Sequence, residues 1–216
     1  MNIAICGHSF VASLQHFITN KYIESKSDLN FHRYAAHHLQ VAGLASHVFF
    51  HGESGAKIME NFHLPAQLLA HNKVDILLLD IGTNDVVNQN VDTREIADQI
   101  FAHAEAARDL FNVRAVVIFS VIKRENGLQS CSKELFLERA GSLNSLLFKK
   151  TANERQIHFR KHPGFETTHE GAPLPMSHIS RDGIHPNTPD GRRKYIRSVT
   201  SAIHFAIKQA NSLVLN

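Results

Sequence analysis

The chain of 216 residues is short of the features that mark secreted or membrane-spanning proteins. It has only two cysteines, Cys6 and Cys131. The first sits in an apolar, strand-like run and the second in a polar stretch read as a loop, so no disulfide is expected. No Asn-x-Ser/Thr acceptor occurs. Apolar runs such as Ile76–Leu79 stop far short of the roughly 20 residues that a membrane-spanning helix needs. Met1-Asn2 leads at once into Ile3-Ala4-Ile5-Cys6, without the basic and long apolar regions of a signal peptide. Together these absences lead to the expectation of an intracellular, cytoplasmic protein in a reducing setting.

Strong charge of either sign is also lacking. The formal net charge is +3. Lys and Arg are scattered, apart from a cluster of Arg192, Arg193, Lys194 and Arg197, which reads first as the solvated face of a helix. Histidine is abundant, with 16 residues, but there is no His-Glu-x-x-His and no cysteine pair. His47 and His51 would share one face of a strand, yet no metal is expected there.

What the chain does have is a regular alternation of segments. With 43% hydrophobic residues, it is expected to fold as one domain spanning residues 1–216 with a sizeable core. Strand-like runs fall at Asn2–Cys6, His47–Phe50, Asp75–Asp80, Arg114–Phe119 and Gln156–Phe159. Helical periodicity appears at Phe10–Tyr22, Ala56–His71, Thr93–Phe111, Lys133–Asn153 and Pro189–Asn211, with a shorter helix at Asn30–Gln40. Thr93 is the expected cap of its helix. Alternation of this kind predicts an α/β fold, a parallel sheet covered by helices on both faces in three layers. Ligands in such sheets bind beyond the carboxyl ends of the strands.

Chemistry-bearing residues gather at those ends. Gly7-His8-Ser9 follows the first strand, Gly52-Glu53-Ser54-Gly55 the second, and Gly82-Thr83-Asn84-Asp85 the third. Asp182-Gly183-Ile184-His185-Pro186-Asn187 leads into the last helix and holds a carboxylate and an imidazole three positions apart. A serine at a helix N-terminus is often a cap. It is also well placed as a nucleophile, because helix N–H groups stabilise negative charge there. A glycine at 55 allows its N–H to face a ligand, and an asparagine at 84 has an amide to donate to a developing oxyanion. Asp85 reads as a cap for the segment after it, and Asp80 receives no role.

These four blocks, in this order, resemble the SGNH hydrolases, the superfamily of the GDSL esterases and lipases. The resemblance runs from residue 2 to about residue 210. It implies a five-stranded sheet in the flavodoxin-like order 2-1-3-4-5. It implies a catalytic triad of Ser9, Asp182 and His185, with an oxyanion hole formed by the N–H groups of Ser9 and Gly55 and the side chain of Asn84. The implied activity is hydrolysis of an acyl ester, whether a short acyl ester, an acetylated sugar or a lysophospholipid, without a metal or organic cofactor. Two alternatives stay open: an SGNH-like domain of a retroelement whose main task is association with nucleic acid, and a pseudoenzyme with little turnover. The second alternative arises because His8 stands where the family usually has Asp. His8 is expected either to repel a protonated His185 or to turn into a local hydrogen-bond network. In the first case its exchange for Asp would favour the charged form of His185.

Overall fold

The computed structural model describes residues 1–123, 131–165 and 183–212. Among these residues eleven elements follow one another: β1 (Asn2–Gly7), α1 (Ser9–Ser25), α2 (Phe31–His38), β2 (His47–Gly52), α3 (Ala66–His71), β3 (Ile76–Asp80), α4 (Thr93–Phe111), β4 (Ala115–Phe119), α5 (Lys133–Thr151), β5 (Ile157–Arg160) and α6 (Pro189–Ser212). The five strands form one sheet in the order β2-β1-β3-β4-β5, and every neighbouring pair is parallel.

The strands are apolar on both faces because both faces are covered. Ile3 and Ile5 of β1, with Ile76 and Leu78 of β3, pack beneath Phe10, Leu14 and Ile18 of α1, Ala35 of α2 and Val199, Ile203 and Ala206 of α6. Ala4, Cys6, Leu77 and Leu79 point the other way, toward Leu69 of α3, Ile96 and Ile100 of α4 and Leu143 and Leu147 of α5. Residues i and i+2 of one strand therefore feed the same layer.

Register fixes where the strand ends lie. Gly7 stands opposite both Gly52 of β2 and Asp80 of β3, so three strands finish level with one another. A Cβ at Gly7 would come within 2.1 Å of the Asp80 carbonyl oxygen, a separation that no side chain tolerates. Glycine at this position lets the first and third strands close up just before the chain turns into α1. The His8 N–H then donates to the Asp80 carbonyl at 3.1 Å and prolongs the pairing by one residue.

Two local expectations need correction. The apolar periodicity of Ala56–His71 does not make one helix: turns occupy the first part, and α3 begins only at Ala66. Pro65 is the reason, since it biases the preceding Leu64 toward extended backbone and itself fits a helix start. The cap of α4 is Asp92, whose side chain accepts from Arg94 N–H, and Thr93 is the first helical residue. Cys131 is buried at 2% exposure, although its neighbours are polar. Cys6 and Cys131 are both free thiols.

Candidate active site

Ser9 is the first residue of α1, and the N-cap position before it is His8, whose side chain makes no capping bond. The serine hydroxyl is therefore not engaged as a helix cap. It lies 2.9 Å from His185 Nε2, across 176 positions of sequence. His185 belongs to the loop entering α6, just after Gly183, which takes a positive φ of 69°. The ring of Phe10 stands edge-on to the His185 imidazole at 5.6 Å, so an apolar wall limits how far that ring can rotate. Asp182 lies outside the described residues.

Gly55 adopts φ +79°, the left-handed region that disfavours a side chain, and a Cβ built there would meet nothing within 4 Å. The backbone at this turn thus faces open space. Asn84 is tied to the same turn: its amide Nδ2 donates to the Ala56 carbonyl at 3.0 Å. The bond clamps the loop after β2 to the loop after β3. In parallel, Glu53 N–H donates to the Gly7 carbonyl at 3.0 Å and clamps it to β1. The structure brings Ser9 and His185 into contact and links Asn84 to the residue following Gly55.

Asp85 does not cap the segment after it. Its carboxylate accepts the N–H groups of Ile58 and Met59, each at 3.1 Å, and so braces a turn 26 to 27 residues earlier in the chain. Burial pushes its pKa up despite those bonds and the nearby charge of Lys57.

Asp80 is the residue that sequence reasoning passed over. It is 2% exposed and ends an otherwise aliphatic strand. Tyr195 of α6 donates its hydroxyl to Asp80 Oδ2 at 2.5 Å. His162 Nε2 lies 3.6 Å from the same oxygen, and His8 Nε2 lies 3.4 Å from Oδ1. Both imidazole contacts are in ion-pair range but longer than a well-made hydrogen bond, and neither nitrogen has a hydrogen-bond partner of good geometry. Burial opposes ionisation of Asp80, yet the two imidazoles outweigh it and hold the carboxyl well below the ordinary carboxylate range. Burial, and next the Asp80 charge, push the Tyr195 hydroxyl far in the other direction. The network continues from His162 Nδ1 to Ser198 Oγ at 2.9 Å, with the His162 ring stacked on Phe119 at 4.3 Å. The available sequence signal was a carboxylate closing a run of four aliphatic residues at a strand end.

His8 belongs to this network and is wholly buried. Its Nδ1 lies 3.4 Å from Ser9 Oγ. The ring is thus turned toward the oxygen that His185 also contacts, and not away from it.

Two depressions adjoin the site. A cleft of about 480 Å³ is bordered by Ser13, His16, Ser54 and Asn187, the last two close in sequence to Gly55 and His185. It meets a larger groove of about 730 Å³ at Phe17 and Arg192. That groove is more voluminous but runs along α6, and neither Ser9 nor His185 lines either depression. Part of the basic cluster is engaged within the fold: Arg192 lies over the Phe17 ring at 4.7 Å and donates to the Asn187 carbonyl, and Arg193 pairs with Asp190 at 3.3 Å. Among the described residues no helix is long and apolar enough to cross a membrane.

No protein-family model and no curated protein sequence matches the chain. Solved structures do. A GDSL-like lipase from Bacteroides thetaiotaomicron superposes with a TM-score of 0.66 at 17% identity, over 95% of this chain and 88% of the other. A carbohydrate esterase of family 3 from Talaromyces cellulolyticus gives 0.58 at 14% identity, over 96% and 98%. A proposed SGNH hydrolase from Slackia heliotrinireducens gives 0.58 at 14%, over 94% and 98%. At these identities the likeness is one of fold, and with its parallel sheet in the order 2-1-3-4-5 the chain has the fold of the SGNH hydrolases.

Proposed function

We propose that this protein is a serine hydrolase that cleaves carboxylic esters. The observation that carries the reading is the 2.9 Å contact between Ser9 Oγ and His185 Nε2, made at a helix N-terminus beyond the carboxyl ends of a parallel sheet. A serine hydroxyl is a weak nucleophile until a neighbouring base takes its proton. His185 is that base. As Ser9 Oγ attacks the ester carbonyl, its proton passes to His185 Nε2, and the imidazolium then protonates the departing alcohol. Water, activated by the same nitrogen, releases the acid and restores the serine. Asp182 takes the part of the acid that orients His185 and balances its charge, by position in the Asp-x-x-His block.

The tetrahedral intermediate carries its charge on the former carbonyl oxygen. Donors preset around that oxygen lower the barrier most. Ser9 N–H is one of the first amides of α1, which have no acceptor within the helix. Gly55 N–H sits on an open turn of positive φ, and Asn84 holds that turn through Ala56. These three form the proposed oxyanion hole. The substrate is an acyl ester; a short acyl ester, an acetylated sugar and a lysophospholipid are the candidates, entering by the cleft between Ser54 and Asn187.

The test is covalent labelling of Ser9 by a fluorophosphonate, together with hydrolysis of p-nitrophenyl acetate and butyrate. Ser9→Ala is expected to lose both while its melting temperature stays that of the parent. Unchanged hydrolysis in Ser9→Ala would refute the assignment.

A further inference from the structure

Ser9 has a second imidazole within reach. On one side His185 Nε2 lies 2.9 Å from Oγ; on the inner side His8 Nδ1 lies 3.4 Å away. Behind His8, on the far edge of its ring, Asp80 Oδ1 faces Nε2 at 3.4 Å. Hydroxyl, imidazole and carboxylate thus follow one another on the inner side of the nucleophile too. The distances are longer than in a settled triad, as is common before substrate tightens a site.

The groups around the pair limit what it can do. His8 is 0% exposed and Asp80 2%. Phe10 covers one edge of the His8 ring at 4.4 Å. Tyr195 and His162 approach the other carboxylate oxygen. Among the described residues, the ion-pair partners of Asp80 are these two histidines; no lysine or arginine reaches it. A nitrogen that faces a carboxylate carries its hydrogen. With Nε2–H turned to Asp80, a neutral His8 presents the lone pair of Nδ1 to Ser9 Oγ. Any charge that His8 gains on accepting a proton is then balanced by the carboxylate beside it.

We propose that His8 and Asp80 form a second proton relay behind Ser9, one that serves the acylation step. The inference rests on the serine-hydrolase reading. By this second route, an alternative to transfer to His185 in the same step, the Ser9 Oγ proton passes to His8 Nδ1. Oγ forms its bond to the acyl carbon, and the carbonyl π pair moves onto oxygen. When the carbonyl re-forms, the leaving group departs with its bonding pair. A p-nitrophenolate or a fluoride leaves without needing a proton, so His8 keeps the serine proton opposite Asp80 and returns it to Ser9 Oγ when water breaks the acyl–Oγ bond. Because His8 is sealed from water, it does not activate the water of deacylation, and that half of the cycle stays with His185.

The experiment removes His185 and asks whether the serine still acylates. With p-nitrophenyl acetate, His185→Ala is expected to release one equivalent of p-nitrophenolate and then stall, with an acetyl group on Ser9 seen by mass spectrometry. Adding His8→Gln keeps a donor toward Asp80 but removes the basic nitrogen that takes the Ser9 proton, and is expected to slow the burst by roughly 10²-fold, the low end of general-base contributions. Asp80→Asn in the same background keeps the shape, removes the charge and is expected to slow it as well; thermal melts identify any variant that has lost its fold. Acylation of His185→Ala no faster than that of a Ser9→Ala, His185→Ala control overturns the relay. So does an equal burst rate with and without His8→Gln. A parent protein that takes up no fluorophosphonate overturns the esterase reading itself, and the relay with it.

Discussion

Asp80 and Asp85 sit five positions apart and both are buried; burial disfavours the charged form of each, yet their net shifts are opposite. Asp80 has imidazoles beside it and stays ionised to low pH; Asp85 has backbone donors and one more distant lysine, and its pKa rises. The difference lies in the imidazole N–H groups of His162 and His8, which favour the ionised Asp80 first by hydrogen bonding and then by charge, whereas the backbone amides at Asp85 do not offset its burial. The same reasoning decides what happens at position 8. His8→Asp installs the carboxylate usual in SGNH hydrolases, but here it would bury a second acid against Asp80. Like charges at that separation in a dry interior do not both ionise. A lower melting temperature at neutral pH is expected, partly recovered on acidification, and a variant as stable as the parent would contradict the placement of His8. Asn84→Ala removes one proposed oxyanion donor and the clamp on Ala56, and is expected to cost roughly 10²–10³-fold in kcat with less change in KM. A change confined to KM would make Asn84 a substrate-binding residue.

At the scale of elements, the turn between β2 and α3 is held from outside itself. The carboxylate of Asp85 supplies acceptors for Ile58 and Met59 N–H, and Ile58 is buried at 5% exposure. Asp85→Ala leaves those donors unpaired, at about 1–3 kcal/mol for a buried one. Since Gly55 belongs to the same turn, esterase activity is expected to fall together with stability. Denaturant melts and p-nitrophenyl butyrate kinetics on this one variant check both; full activity with lowered stability would show that the turn does not shape the site. This turn also marks how far the sequence could be read. Strands and their parallel pairing were legible, because periodicity is a local property; the order 2-1-3-4-5 came from the resemblance to the SGNH hydrolases, as did the expected roles of Ser9, Gly55, Asn84 and His185. The turn was not legible: the apolar spacing of Ala56, Ile58 and Phe62 suits a helix equally well, and what decides against it is Pro65 together with a carboxylate far along the chain. Asp80 stayed unassigned for a related reason, since its partners His8, His162 and Tyr195 come from three other parts of the sequence and meet only through strand register and the docking of α6.

The whole molecule responds to acid through several groups at once. Burial depresses the pKa of His38 and His158, and burial followed by the charges of Arg33 and His32 depresses that of His47. For a histidine whose folded pKa lies below its unfolded value, the unfolded chain binds protons more readily, so stability falls as pH drops through the ordinary range near about 6.5. Asp80 acts lower: its folded pKa is depressed, so the stability it contributes is complete above about pH 4 and declines as pH falls further. Asp85, shifted upward, works the other way and offsets part of the loss on acidification. The expected result is a melting temperature lower near pH 5 than near about pH 7.5, with a second decline below about pH 4. A flat or rising profile across the first interval would contradict the histidine contribution.

The two partners of the proposed catalytic contact are 176 positions apart, and this sets a timetable for a chain made from its N-terminus. On a ribosome the serine emerges early, with β1, while its base waits for the loop ahead of α6. That helix in turn must seat Tyr195, Val199 and Ile203 against the sheet before His185 is held in place. Complete turnover therefore marks the seating of α6 and not the earlier steps of folding. Ester cleavage followed during cell-free synthesis would time the arrival of α6, and a nascent chain paused before it would carry its nucleophile without the full means to use it.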